Sequence, residues 1–194
     1  MHNHRHFITY KPQGYHSQFV NNQNKRKNKK LLGTLHDFPK GTMAIGRLDE
    51  NSEGLLLLTT NGKVSELVRS KKIEKEYFVQ LDGEINMEAV EQLKEGVEIS
   101  VNKKKYLTLP SEVRQLNPAP IFSPPIKERG ESHGPTSWIS ITIREGKFRQ
   151  VRKMSAAVGF PTIRLVRVRI GRIYLKNIKP AEVVEVDNFK LSPK

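Results

Sequence analysis

One polar loop of the chain carries two carboxylates that could do chemistry. The loop Gly46–Gly54 (GRLDENSEG) contains Asp49 and Glu53 and runs directly into the apolar segment Leu55–Leu58. An aspartate in such a loop can simply close an Asx-type turn. A metal-dependent nuclease would instead use Asp49 and Glu53 to hold its ions, but two-metal chemistry usually needs several carboxylates, and we therefore expect no metal site. The loop on its own leaves open whether Asp49 closes a turn or takes part in catalysis.

A second segment concentrates cations on one side of a predicted helix. In Glu145–Met154 (EGKFRQVRKM), Arg149, Arg152 and Lys153 are spaced i, i+3, i+4 and so share a face. The apolar residues of the same helix are Val151, Met154 and Val158. A cationic helix face is usually solvated, but it is also suited to binding phosphate groups.

The overall charge favours a polyanionic partner. The 194 residues include 34 Lys and Arg against 20 Asp and Glu, which gives a net charge of +14. Cations that neutralise phosphates release condensed counterions, so such an excess favours nucleic acid. The segment Lys25–Lys30 adds five cations in six residues, either as a mobile phosphate-binding loop or as a solvated charge run.

Membrane attachment and thiol chemistry are disfavoured. An anionic membrane would also attract a basic protein, but no apolar run approaches the roughly 18 residues of a spanning helix, and no signal peptide is recognisable. The chain contains no cysteine, which excludes disulfides, thiol catalysis and thiolate zinc sites. This composition fits a cytoplasmic protein.

The elements that position these residues alternate without a regular βαβ pattern. Strands are predicted at Phe7–Tyr10, Leu55–Leu58, Glu76–Leu81, Ile139–Ile143, Thr162–Val168 and Val183–Val186. Helices are predicted at Lys63–Ser70, around Met87–Leu93 with a stop at Gly96, and from Arg149 to Gly159. The proline-rich stretch Leu109–Pro135 reads as a long irregular connection. The pattern predicts an α+β fold around a mostly antiparallel or mixed sheet.

Three segments, taken together, resemble one enzyme family. Gly46–Leu56 is similar to the catalytic-aspartate motif of the pseudouridine synthases, Lys75–Tyr77 to their lysine–x–tyrosine motif, and Glu145–Met154 to their basic-helix motif. The motifs occur in the family's order, and the similarity extends over about residues 7–186. The branch that the chain resembles modifies ribosomal RNA.

Two departures from the family pattern refine this resemblance. Many members of the branch begin with a small RNA-binding S4 domain, for which this chain has no room, and position 149 is Arg where a number of relatives carry His. Both features make the chain most similar to the large-subunit subgroup E. The resemblance implies a single catalytic domain over residues 1–194, with two α+β lobes around a cleft.

The resemblance also implies a reaction and a set of site residues. Uridine would be isomerised to pseudouridine in ribosomal RNA, most simply 23S RNA, without a cofactor or metal. The target nucleotide would be flipped out of its helix, and the enzyme would act as a monomer. The positions that match catalytic residues are Asp49 as nucleophile, Tyr77 against the base and Arg152 as partner of the aspartate. Those expected to contact RNA are Arg47, Lys75, Arg149, Lys153, Leu165 and Arg167.

A non-catalytic ribosomal RNA-binding or assembly protein is the alternative. The +14 charge would suit it equally well. It leaves the segments around Asp49 and Tyr77 unexplained.

Overall fold

A computed structural model describes residues 4–20, 29–125 and 133–191. Its strands are β1 (His6–Lys11), β2 (Tyr15–His16), β3 (Lys30–Leu31), β4 (Met43–Ala44), β5 (Glu53–Thr59), β6 (Lys75–Asp82), β7 (Glu98–Val101), β8 (Lys104–Leu107), β9 (Glu112–Gln115), β10 (Thr136–Ile143), β11 (Thr162–Ile170), β12 (Ile173–Tyr174) and β13 (Val183–Val186). Its helices are α1 (Gly62–Arg69), α2 (Met87–Glu95) and α3 (Gln150–Ala157). The predicted basic loop Lys25–Lys30 lies, up to residue 28, outside the described residues.

The chain forms two compact units. Unit 1 consists of Met1–Ile73 and Arg167–Lys194, and unit 2 of Glu74–Val166. The second division falls within β11, so this strand contributes residues to both units. Strands and helices are mixed in each unit, which confirms the predicted α+β class.

The core of unit 1 is built around the leucine run that follows the acidic loop. β1 lies between β13 and β5 and is antiparallel to both. Because successive side chains of a strand point to opposite faces, Leu55 and Leu57 enter one apolar cluster while Leu56 and Leu58 enter another with Phe7. All four leucines are fully buried, and each burial stabilises the fold by roughly 1.5–3 kcal/mol. β5 is therefore a rigid strand on which the preceding loop is anchored.

The helix of unit 1 begins and ends one residue before the predicted range Lys63–Ser70. Asn61 is the N-cap of α1, and its side-chain oxygen accepts hydrogen bonds from the backbone N–H groups of Lys63 and Val64. Such a cap satisfies donors that the first turn leaves unpaired. Val68 is buried on the inner face, whereas Leu67, at the neighbouring position, is exposed.

The main strands of unit 2 pair in an antiparallel arrangement. β10 pairs with β6 on one side and with β9 on the other. The alternation of isoleucines with polar residues over Ile139–Ile143 predicts a half-buried strand, but this is wrong, because Ser140 and Thr142, on the face opposite to the isoleucines, are also buried. Ser140 is accommodated there because its hydroxyl donates to Glu76 Oε1 at 2.7 Å. The prediction that Leu109–Pro135 is an irregular connection was also wrong in part, because β9 lies within this stretch.

The helices of unit 2 cover its apolar core. α2 buries Ala89, Val90 and Leu93 and stops at Gly96, as predicted, although Met87 is exposed. Gly96 has φ +104°, and a Cβ there would lie 2.4 Å from the carbonyl oxygen of Thr108, so only glycine fits. α3 buries Val151 and Met154 in the same core.

Candidate functional site

The backbone of the acidic loop is held on both sides of Asp49. Ser17 is buried, and its hydroxyl accepts from the Leu48 N–H at 3.0 Å and donates to the Leu48 carbonyl at 2.8 Å. On the other side, the Gly14 N–H donates to the Glu50 carbonyl at 2.8 Å. The half-buried side chain of Asp49 is therefore presented from a backbone that has little freedom to move.

A buried lysine lies close to this loop. Lys11 is 0 % exposed, and its ammonium donates to the carbonyls of Pro12 at 2.8 Å and Tyr15 at 2.7 Å. Burial lowers the pKa of Lys11 to about 7, while the negative charges of Glu53 and Asp49 act in the opposite direction. Lys11 thus ties the turn after β1 together and places a titratable amine in the electrostatic environment of Asp49.

The second carboxylate of the loop has a structural partner. Glu53 is buried at the start of β5, and its Oε2 accepts a hydrogen bond from the Tyr10 hydroxyl at 2.8 Å. Within the described residues, no group of three or more His, Asp or Glu side chains is arranged to hold a metal ion.

The two arginines predicted in unit 1 have different environments. Arg47 is exposed, which suits a contact with RNA. Arg167 is only 4 % exposed, and its Nε donates to the Leu55 carbonyl at 2.7 Å. This hydrogen bond links β11 to β5. A side chain that is buried in this way does not fit the predicted contact between Arg167 and an RNA phosphate. Gly54 lies against the same backbone: a Cβ there would meet the Arg167 carbonyl oxygen at 2.4 Å.

In unit 2, the predicted tyrosine belongs to a sheet strand that packs on the core. Lys75 and Tyr77 share one face of β6, whereas Glu76 points to the other face and accepts from Ser140. Tyr77 is half-buried and packs against the cluster that contains Leu165. The structure therefore brings the predicted stacking residue and the predicted apolar residue into one cluster.

The cationic residues around α3 differ from the predicted continuous face. Arg149 lies before the helix in a left-handed conformation with φ 54° and is exposed. Arg152 is half-buried and its Nη1 donates to the Thr162 carbonyl at 3.3 Å. Lys153 is also half-buried, and its ammonium donates to the Ser100 carbonyl at 2.6 Å. The three side chains thus have three separate surroundings.

A buried glutamate organises the loop that precedes α3. Glu145 accepts hydrogen bonds from the Tyr106 hydroxyl at 2.5 Å, the Leu109 N–H at 2.9 Å and Gln150 Nε2 at 2.7 Å. The hydrogen bond to Glu145 raises the pKa of Tyr106. The carboxylate therefore connects β8, the strand that follows the β7–β8 turn, to the start of α3.

The predicted site residues are divided between the units. Unit 1 contains Arg47, Asp49 and Arg167, and unit 2 contains Lys75, Tyr77, Arg149, Arg152, Lys153 and Leu165. The sequence analysis missed Lys11, Ser17 and Glu145 as positioning residues. The sequence Lys11–Gly14 (KPQG) indicates only a turn, and a lone serine or an acidic residue in a turn gives no sequence signal of burial. No helix in the described residues is long and apolar enough to cross a membrane.

The fold and the three motifs define a class of RNA-modifying enzymes. Residues 5–157 match the RNA pseudouridylate synthase family, and the chain belongs to that family. It is an isomerase, as the motifs predicted.

Individual relatives narrow the resemblance to one subgroup. The chain is 39% identical over 182 residues to the ribosomal large subunit pseudouridine synthase E of Vibrio parahaemolyticus, an alignment that covers 91% of this chain and 71% of the relative. It is 40% identical to the enzyme of the same name from Xanthomonas axonopodis pv. citri, with 88% and 87% covered. These matches confirm the resemblance to subgroup E. A crystal structure of a pseudouridylate synthase matches with a TM-score of 0.76 and 25% identity over 96% of this chain and 71% of that one.

Proposed function

We propose that the protein isomerises one uridine of large-subunit ribosomal RNA to pseudouridine, with Asp49 as nucleophile. Two kinds of observation support this proposal. The relatives that align over most of the chain are named as large-subunit synthases. In the loop Gly46–Gly54, Ser17 and Gly14 hold the backbone on the two sides of Asp49. The Asp49 side chain itself keeps access to solvent.

The proposed reaction conserves all atoms of the nucleotide. The bond between N1 of the base and C1′ of the ribose breaks, the base rotates, and a bond forms between C5 and C1′. The proton that leaves C5 is matched by a proton that N1 gains. Asp49 attacks either the uracil ring or C1′ and leaves again at the end, so one difficult step is divided into easier ones. The chemistry requires no cofactor and no metal.

Asp49 must be ionised to act as a nucleophile. A carboxylate in a closed RNA-bound site would otherwise tend to be protonated. We propose that Arg152 pairs with Asp49 in the complex, because a guanidinium stays charged and can bind a carboxylate through two hydrogen bonds. The Lys11 ammonium, when it is protonated, adds a second positive charge that interacts with the Asp49 carboxylate.

Tyr77 and the neighbouring cations are assigned to the RNA. The target uridine has to leave its helix to expose C5 and C1′, which costs a few kcal/mol. Stacking on Tyr77 offsets about 1–3 kcal/mol of this cost. Leu165, in the same cluster as Tyr77, contributes an apolar wall for the base. Arg47 and Arg149, both exposed, are assigned to RNA phosphates, as are Lys75, two residues before Tyr77, and Lys153, four residues after Arg149.

The decisive experiment maps pseudouridine in unmodified large- and small-subunit ribosomal RNA after incubation with the pure protein. It compares the wild type with Asp49→Asn, which removes the nucleophile with little change in shape, and with Asp187→Asn as a matched control at an exposed aspartate of unit 1. One new site in large-subunit RNA is expected with the wild type and the control, and none with Asp49→Asn. RNA affinity should change little in either variant.

Each other outcome has a definite meaning. Full activity of Asp49→Asn would refute Asp49 as nucleophile. A new site in small-subunit RNA would refute the proposed substrate. RNA binding without any new pseudouridine would favour a non-catalytic RNA-binding protein, and strand cleavage that requires Mg²⁺ would favour a nuclease.

The setting of the enzyme follows from its substrate. We propose that the protein acts in the cytoplasm, where it would meet ribosomal RNA. We propose that it acts as a monomer, which sedimentation in the presence and absence of RNA would test.

A further inference from the structure

A basic hairpin in unit 2 has no role in the proposed chemistry. Strands β7 and β8 pair with Val101 opposite Lys104, so the connecting turn consists of Asn102 and Lys103 alone. Both turn residues have positive φ, 51° and 63°, as the tight two-residue turns of hairpins require. Lys103, Lys104 and Lys105 are exposed at this tip. A short turn of this kind presents the lysines on a fixed backbone.

The hairpin is firmly attached to the rest of unit 2. Ile99 is buried in the core of the unit, and Val101 and Tyr106 pack against that core. Lys153 of α3 donates to the Ser100 carbonyl, and the Tyr106 hydroxyl donates to buried Glu145. These contacts join both strands of the hairpin to the segment Glu145–Lys153.

The same contacts assemble a surface of cations and aromatic rings. The Lys147 ammonium lies 4.6 Å from the centroid of the Tyr106 ring, and the Lys153 ammonium lies 5.3 Å from that of Phe148. Phe148 is 69% exposed, which is unusual for a phenylalanine. We call the surface formed by Lys103, Lys104, Lys147, Phe148 and Lys153 the hairpin platform.

The charge of the platform is not neutralised locally. Lys105 is paired with Glu98 at 2.9 Å across the hairpin. Within the described part of the chain, no salt bridge is formed by Lys103 or Lys104. An exposed aromatic ring among cations without a carboxylate partner suits a nucleic acid with an unpaired base, because phosphates bind the lysines and the base stacks on the ring.

We propose that the hairpin platform binds a segment of RNA other than the target nucleotide, with phosphates on Lys103 and Lys104 and an unpaired base on Phe148. The inference rests on the proposed function for the identity of the RNA. It assigns substrate selection to Lys103, Lys104 and Phe148, which have no role in the proposed chemistry. The hairpin thereby gives unit 2 an RNA contact in addition to those proposed for Tyr77 and Arg149.

The test measures the affinity of the full chain for unmodified large-subunit ribosomal RNA as a function of salt. Lys103→Ala/Lys104→Ala is compared with Lys71→Ala/Lys72→Ala, a matched exposed lysine pair in unit 1. Loss of two phosphate contacts should reduce the slope of log affinity against log salt by about 1.5, and the control pair should leave it unchanged. Turnover at saturating RNA should be unchanged in the control pair Lys71→Ala/Lys72→Ala.

A second variant tests the aromatic contact. Phe148→Ala should weaken binding by about 5-fold or more, the lower end of what stacking of one base provides. Phe148→Trp should restore it, whereas Phe148→Leu, which keeps an apolar side chain without a ring, should not. Circular dichroism establishes that each variant is folded.

The results separate the two proposals. Unchanged salt slope and unchanged affinity in these variants, with a wild type that forms pseudouridine, would overturn the platform alone. Weaker binding by the hairpin variants, with a wild type that forms no pseudouridine, would support the platform and overturn the proposed reaction. A wild type that does not bind ribosomal RNA would overturn both.

Discussion

Replacement of Gly54 by alanine tests how tightly β11 approaches the acidic loop. Gly54 has φ +103°, a conformation that costs an L-residue about 1–3 kcal/mol. Its Cβ would also lie 2.4 Å from the carbonyl oxygen and 2.8 Å from the nitrogen of Arg167, both backbone atoms of a strand. Overpacking adds about 1–3 kcal/mol. We expect Gly54→Ala to lower the free energy of unfolding by about 4 kcal/mol, a large part of the roughly 5–15 kcal/mol of a typical domain.

Gly41 provides the matched control for this prediction. It has φ +87°, and a Cβ there would meet no atom within 4 Å. Gly41→Ala therefore carries the conformational cost without the overlap, and we expect a loss of about 1–2 kcal/mol. Urea unfolding followed by circular dichroism measures both values. If the two variants differ by less than about 1 kcal/mol, the close approach of β11 to Gly54 is not rigid and the reasoning is refuted.

Two further predictions concern buried ionisable groups. The pKa of Lys11 is lowered to about 7 in the folded chain. Above this pH the unfolded chain therefore binds a proton that the folded chain lacks. The free energy of unfolding should rise with pH by up to about 1.4 kcal/mol per unit until the lysine of the unfolded chain also titrates. Urea titrations between about pH 7.5 and 9.5 should show this contribution in the wild type but not in Lys11→Met, and equal slopes would contradict it. Glu145→Ala should cost about 3 kcal/mol, because it deprives the Tyr106 hydroxyl, the Leu109 N–H and Gln150 of their acceptor. Glu145→Gln should cost only about 1 kcal/mol, since the Tyr106 hydroxyl can turn and accept from the amide; equal losses would contradict that reversal.

Much of the fold could be predicted because its signals are local. The leucine run of β5, the apolar spacing of α1 and the Gly96 stop of α2 each follow from the chemistry of a few neighbouring residues. β9 was missed because it is four residues long in a proline-rich stretch and is held mainly by its pairing with β10. Pairing with a distant strand leaves no trace in the short segment itself.

The site shows the same division between local and distant causes. The motif around Asp49 is visible in the sequence, and the chain belongs to the family that the motif indicates. The burial of Arg167 was not visible, because an alternating run of arginines in a strand looks like a basic surface. Its acceptor, the Leu55 carbonyl, lies 112 residues away in sequence. The same holds for Ser17 and Leu48, whose contact depends on how two separate loops meet.

The pairing of β1 with β13 has a consequence for the order in which the protein can be built. The two strands pair with His6 opposite Val186, whereas all of unit 2 lies on the continuous stretch Glu74–Val166. During synthesis at roughly 5–20 residues per second, β1 therefore waits on the order of 10–35 s for its second neighbour, and unit 2 is complete before it arrives. Throughout that time one edge of β1 is an open template for strand addition. A nascent chain that has completed unit 2 but not yet β13 is accordingly the form most exposed to misassembly. β13, which follows all the other described strands, is the strand that closes this edge.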